Sequence, residues 1–76
     1  MKRTLRYNGR ASFRKKSKGK VIKLGVKNAI VERYSVIYRK PLYIQVVKNS
    51  RGEWVQTGSY FHLPHAIRYF ELRESK

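Results

Sequence analysis

Two histidines, His62 and His65, are the only side chains of this sequence that titrate near neutral pH, and they flank Pro64. A ribonuclease-like acid–base reaction would have to run through this pair. The four carboxylates, Glu32, Glu53, Glu71 and Glu74, offer no paired acid site, and the last two fall on a charged chain end. Two His with neither Cys nor Asp make an incomplete metal ligand set. Neither a Gly-rich phosphate loop nor a nucleophile elbow is present. The histidines are therefore read as packing or capping residues at a helix start. No catalytic residue, metal or cofactor is expected, and the chain is read as non-enzymatic.

Binding chemistry is better represented. The 76 residues carry 19 Lys and Arg against four acids, a net charge of +15. Residues 1–31 hold +11 with no acid at all, and residues 32–76 hold the remaining +4. Self-repulsion at this density opposes a compact state, so a polyanionic partner is expected, nucleic acid before any other. The candidate contacts are the amino-terminal bases Lys2, Arg3, Arg6, Arg10, Arg14, Lys15, Lys16, Lys18 and Lys20, followed by Arg39, Lys40, Lys48 and Arg51. Interleaved aromatics add to them. Tyr43, Trp54 and Tyr60, placed on the surface of strands, can stack on unpaired bases, while Tyr34, Phe61 and Phe70 are placed inside. Gln45 or Gln56 can alternatively read base edges from a strand laid in a major groove.

These residues need elements to hold them. Residues 1–20 read as a basic arm or hairpin, since Asn8-Gly9 is a favoured type I′ pair and predicts a hairpin over 4–14. Disorder is the alternative for this segment, and Lys16 to Lys20 reads as a turn broken by Gly19. Residues 21–76 read as a single β-rich domain. Alternation from Ile22 to Tyr38, reversing near Lys27-Asn28, predicts strands that end at Arg39-Lys40-Pro41. Leu42 to Val47 places Leu42, Ile44 and Val46 on one face and Tyr43, Gln45 and Val47 on the other. A polar turn with Gly52 leads to a return strand over 54–61, in which Gly58 suggests a bulge. Pro64 starts a helix over 64–74 whose Leu63, Ala66, Ile67 and Phe70 form an apolar stripe. The fold class is α+β: a small antiparallel sheet of three to five strands with one C-terminal helix packed on it.

A basic arm, about four antiparallel strands and a final helix resemble the single-strand-binding domain of the positive-cofactor transcriptional coactivators. The resemblance runs through LYIQVVKNSRGEWVQTGSYFHLPHAIRYF, residues 42–70, with Gly-Glu in the hairpin turn and a Gly-x-x-Phe strand end. It implies single-stranded DNA held on the curved sheets of a dimer. Thr57-Gly58 stands where that family usually carries a lysine-glycine pair. Trp54-Val55, Gly58-Ser59-Tyr60-Phe61, Ala66 and Tyr69 are also similar to the three-stranded-sheet-plus-helix DNA-binding domains of integrases and ethylene-response-type proteins, and to small phage-encoded proteins. That second resemblance implies a sheet laid in the major groove.

The sequence thus points to nucleic-acid binding through the arm and one aromatic, basic sheet face, with DNA favoured over RNA. A small phage-type inhibitor or accessory protein that binds a nucleic-acid-processing enzyme is the alternative, and a ribosome-associated RNA-binding protein the next. A toxin-like ribonuclease using His62 and His65 comes last. With no cysteine and a chain that buries only roughly 60% of its unfolded surface, a homodimer or a bound partner would add stability. No apolar run resembles a signal peptide or membrane span, and the bases do not lie on an amphipathic helix, so no membrane partner is expected. The expected location is intracellular, cytoplasmic or nucleoid-associated.

Overall fold

Alternating side chains over short β-branched and aromatic runs give five consecutive strands before Pro64 opens the helix. The computed structural model describes residues 3–9 and 16–75, with the backbone alone for Lys16 and Ser17. The strands are β1 (Thr4–Asn8), β2 (Lys16–Leu24), β3 (Asn28–Ser35), β4 (Lys40–Lys48) and β5 (Trp54–Tyr60), followed by α1 (Leu63–Glu74). Each strand pairs antiparallel with the next, and the sheet closes on itself through β1 and β5. With an odd number of strands in a meander, the first and last run the same way. The closing pair, Asn8 opposite Val55, is accordingly parallel.

The two faces of the sheet bury separate apolar clusters. Tyr7, Ala29, Val31, Ile44 and Val46 are buried together, with Leu5, Val21, Leu42 and Trp54 packed against them. They share one face of each strand and fill the barrel. On the outer face, Ile30 joins Ala66 and Phe70 of α1, flanked by Ile22, Tyr43 and Tyr60. The middle of β3 and β4 is therefore covered on both sides, which is why Asn28 to Val31 and Ile44 to Val46 are all buried. The predicted split of β4 into Leu42, Ile44, Val46 and Tyr43, Gln45, Val47 matches these two environments.

β2 corrects the reading of the basic segment. Asn8 lies opposite Lys16 and Leu5 opposite Gly19, so β1 pairs with Lys16–Lys20 and does not fold back through a tight Asn8-Gly9 turn as the 4–14 hairpin required. The predicted return strand over 11–13, with Arg10, Arg14 and Lys15, lies outside the described residues, as does Lys2. In this register Tyr7, opposite Ser17, enters the barrel, an enclosure worth on the order of 1.5–3 kcal/mol. The expected turn at Lys16 to Lys20 is likewise strand, and the expected boundary between residues 20 and 21 falls inside β2. Gly19 serves close packing there. A Cβ on it would sit 2.8 Å from Val31 Cγ2, inside contact distance of a fully buried side chain. Gly19→Ala is expected to cost about 1–3 kcal/mol of unfolding free energy in a urea titration, because Val31 is held by the barrel and cannot retreat.

Two further expectations shift. β3 ends at Ser35, and Val36 to Arg39 form an exposed turn in which Arg39 adopts φ 56°. Pro41 does not terminate the element; it is the second residue of β4, opposite Tyr34. Tyr34 and Phe61, expected inside, are exposed, whereas Phe70 is buried as expected. The β4–β5 connection follows the sequence closely. Asn49 Oδ1 accepts the backbone N–H of Arg51 and of Glu53 at 2.9 Å each, and Gly52 takes φ 80°. The irregularity predicted at Gly58 lies beside it, where Gln45 faces Gly58 and Val46 faces Gln56, leaving Thr57 extra.

Candidate nucleic-acid interface

The candidate cations occupy distinct positions around the barrel. Arg6 and Lys18 are directly opposite each other on β1 and β2, both exposed. The next outward pair is Thr4 and Lys20, and that row continues through Glu32, Tyr43 and Tyr60 across the whole sheet. Arg3, also exposed, precedes the row and accepts a bond from Val21 N–H at 2.8 Å through its carbonyl. Like charges directly opposite each other across an antiparallel pair oppose its formation. An anion lying over Arg6 and Lys18 would remove that cost.

A second group lies at the β3–β4 turn. Lys40 Nζ sits 4.4 Å from the centroid of the Phe61 ring, and Tyr38 meets the same ring edge-on at 5.1 Å. Val36 and Ile37 project beside them, the latter 88% exposed. Arg39 is exposed in the same turn, and Arg51 is exposed in the β4–β5 turn.

The aromatic sheet face expected for base stacking is largely covered. Tyr43 and Tyr60 pack against the cluster under α1, and Trp54 packs against the barrel core with Lys48 Nζ 5.2 Å above its ring. Gln56, opposite Val46, shares the core-facing side of β5. Gln45 is not a base reader. It is buried, its Nε2 donating to Asn28 Oδ1 at 3.0 Å and to the Tyr69 carbonyl at 3.4 Å, while Tyr60 O–H donates to its Oε1 at 3.2 Å. Asn28 Nδ2 in turn donates to the Phe70 carbonyl at 3.0 Å. These amides dock the helix on the sheet, and among the described residues every buried side-chain polar atom has a partner.

Burial holds the Tyr60 phenol above its ordinary pKa of 10.0; the neighbouring Tyr69 adds to this and Arg73 opposes it. A raised phenol pKa means the folded chain keeps a proton that the unfolded chain releases first. The associated stability is present below pH 10 and is lost as pH rises through the folded value. Tyr60→Phe is expected to flatten the alkaline limb of a stability–pH profile, read as urea midpoints above about pH 9.

The helix also borders a groove of about 860 Å³, lined by Lys27, Lys48, Tyr69 and Arg73 above the Asn28–Gln45 floor. Its loop wall is fixed by backbone bonds from Gly25 N–H to the Asn28 carbonyl and from Lys48 N–H to the Lys27 carbonyl, both 2.8 Å. Of these residues only Lys48 and Gln45 carried a binding expectation from the sequence. Tyr69 and Arg73 stand four apart on one helical face, and that spacing was the available signal.

His62 and His65 are exposed, their rings edge-to-face at 5.8 Å. His62 occupies the N-cap without a side-chain capping bond, so the expected capping role is not what its imidazole does. Among the described residues no three His, Cys, Asp or Glu side chains gather into a metal-binding group. Nor, among them, is any helix long and apolar enough to cross a membrane. Comparison with protein-family models, with curated proteins and with solved structures gave no match.

Proposed function

We propose that this chain is a non-enzymatic nucleic-acid-binding module, with DNA favoured, that takes phosphates along the outer face of β1 and β2. The observation that carries this reading is the Arg6–Lys18 pair, flanked by Arg3 and Lys20, in a chain whose net charge is +15. Among the described residues only Glu32, beside Lys20, brings an opposite charge into register with this hairpin. Lys16 extends the same strand, and Lys2, Arg10, Arg14 and Lys15 belong to the same acid-free stretch of sequence. Affinity would come mainly from counterion release. The log of the binding constant should fall linearly with log salt, with a slope of roughly −0.7 to −0.9 for each phosphate neutralised. Equal affinity for a labelled oligonucleotide between about 50 and about 200 mM salt, an interval over which such binding falls steeply, would refute the proposal.

One observation favours a second reading, an accessory protein that docks on a nucleic-acid enzyme. Val36, Ile37 and Tyr38 project at a turn tip beside Phe61, all exposed. If Ile37→Asp abolished co-purification with a protein partner while oligonucleotide binding was never detectable, this reading would replace the first.

A further inference from the structure

We propose that the groove between α1 and the β2–β3 turn holds one unpaired nucleotide, so that the module prefers single strands to duplex. This rests on the nucleic-acid reading above and names the substrate class within it. Three features meet in the groove. Lys27 and Arg73 are exposed cations on its lining, against a single acid, Glu74, whose carboxylate lies against Gly25; Lys48 also lines it, with its Nζ turned over the Trp54 ring. Tyr69 presents an aromatic ring that is 49% exposed, and its plane is fixed because Tyr60 stacks on it at 5.2 Å and 10°. Val26, 78% exposed, and Leu72 form apolar edges. The volume of about 860 Å³ lies within the range of ligand-sized clefts.

A planar, uncharged ring joined to an anion matches this arrangement. The base stacks near Tyr69 between Val26 and Leu72, and its phosphate meets Lys27 and Arg73. Bases inside a duplex are paired and stacked on each other, so only an unpaired one can enter. The floor amides do not add base-edge readout. Asn28 and Gln45 are already bonded to each other, to Tyr60 and to the helix carbonyls. The groove therefore selects single strands without selecting sequence.

The test compares a labelled single-stranded oligothymidylate with its duplex by fluorescence anisotropy, for the wild type, Tyr69→Leu, Val26→Glu and Arg6→Glu. The single strand is expected to bind about tenfold tighter than the duplex. Tyr69→Leu and Val26→Glu should each remove most of that preference and leave duplex affinity within about twofold. Arg6→Glu should weaken both probes together. Val26 lies on an exposed turn, so its variant stays informative if Tyr69→Leu lowers the melting temperature by removing the stack on Tyr60. Equal affinity for the two probes, or unchanged single-strand binding by both groove variants, overturns the groove assignment and leaves the nucleic-acid reading standing. Failure of both probes to bind wild type overturns the two together.

Discussion

Arg6→Glu with Lys18→Glu is expected to weaken oligonucleotide binding at least about tenfold at moderate salt and to make the salt slope shallower by about 1.4 for a single strand, about 0.7 for each phosphate no longer neutralised. The single variant Arg6→Glu should at the same time raise thermal stability slightly. It replaces a like-charged cross-strand pair with an opposite-charged one, a change worth roughly 0.2–1 kcal/mol at an exposed site. Binding and stability thus move in opposite directions. A residue that merely supports the fold would move them together, so a parallel loss of melting temperature and affinity would count against the assigned interface.

Gln45→Leu is expected to produce the largest loss of stability, about 2–4 kcal/mol, measured by urea denaturation. A domain of this length has a total of only about 4–11 kcal/mol. The substitution keeps the volume roughly constant but strips the Tyr60 hydroxyl and Asn28 Oδ1 of their buried partner. Asn28→Ala leaves Gln45 Nε2 with only its longer bond to the Tyr69 carbonyl and frees the Phe70 carbonyl. Because an orphaned buried group costs more than a pair removed together, the double variant Asn28→Ala/Gln45→Leu should cost clearly less than the sum of the singles. Strict additivity would mean that the amides act independently and that docking of α1 rests on Ala66 and Phe70 alone.

The parts of this fold that were legible in the sequence are those whose signals are local. Pro64 and the spacing of Ala66, Ile67 and Phe70 specify α1, and Asn49 to Gly52 specify the β4–β5 turn. Alternation also sorts the two faces of β4. It does not say what covers them. A period of two runs on through Val36 and Tyr38 although the strand has ended at Ser35, because periodicity carries no information about where a neighbour stops. Phe61, one residue past the end of β5, was misplaced for the same reason. The first half of β2 was hidden by its lysines: outward Lys18 and Lys20 alternate with inward Gly19 and Val21, a strand pattern whose buried member at one position has no side chain. Closure of the barrel joins residues 8 and 55, and no local pattern announces such a pair. The groove shares this character, drawing Lys27, Lys48 and Arg73 from three separate parts of the chain.

That closing pair bears on the order in which the molecule assembles. Every other strand pairing joins sequence neighbours, whose loops are short and cheap to form, whereas Asn8 and Val55 are separated by most of the chain. The five-strand meander can form first from these local pairings, with the β1–β5 contact closing it last. β1 is also the strand whose Arg6 stands opposite the like-charged Lys18, so the closing contact and the electrostatic penalty fall on one short segment. A polyanion bound there would act as a latch on the barrel, slowing its opening as well as occupying its surface.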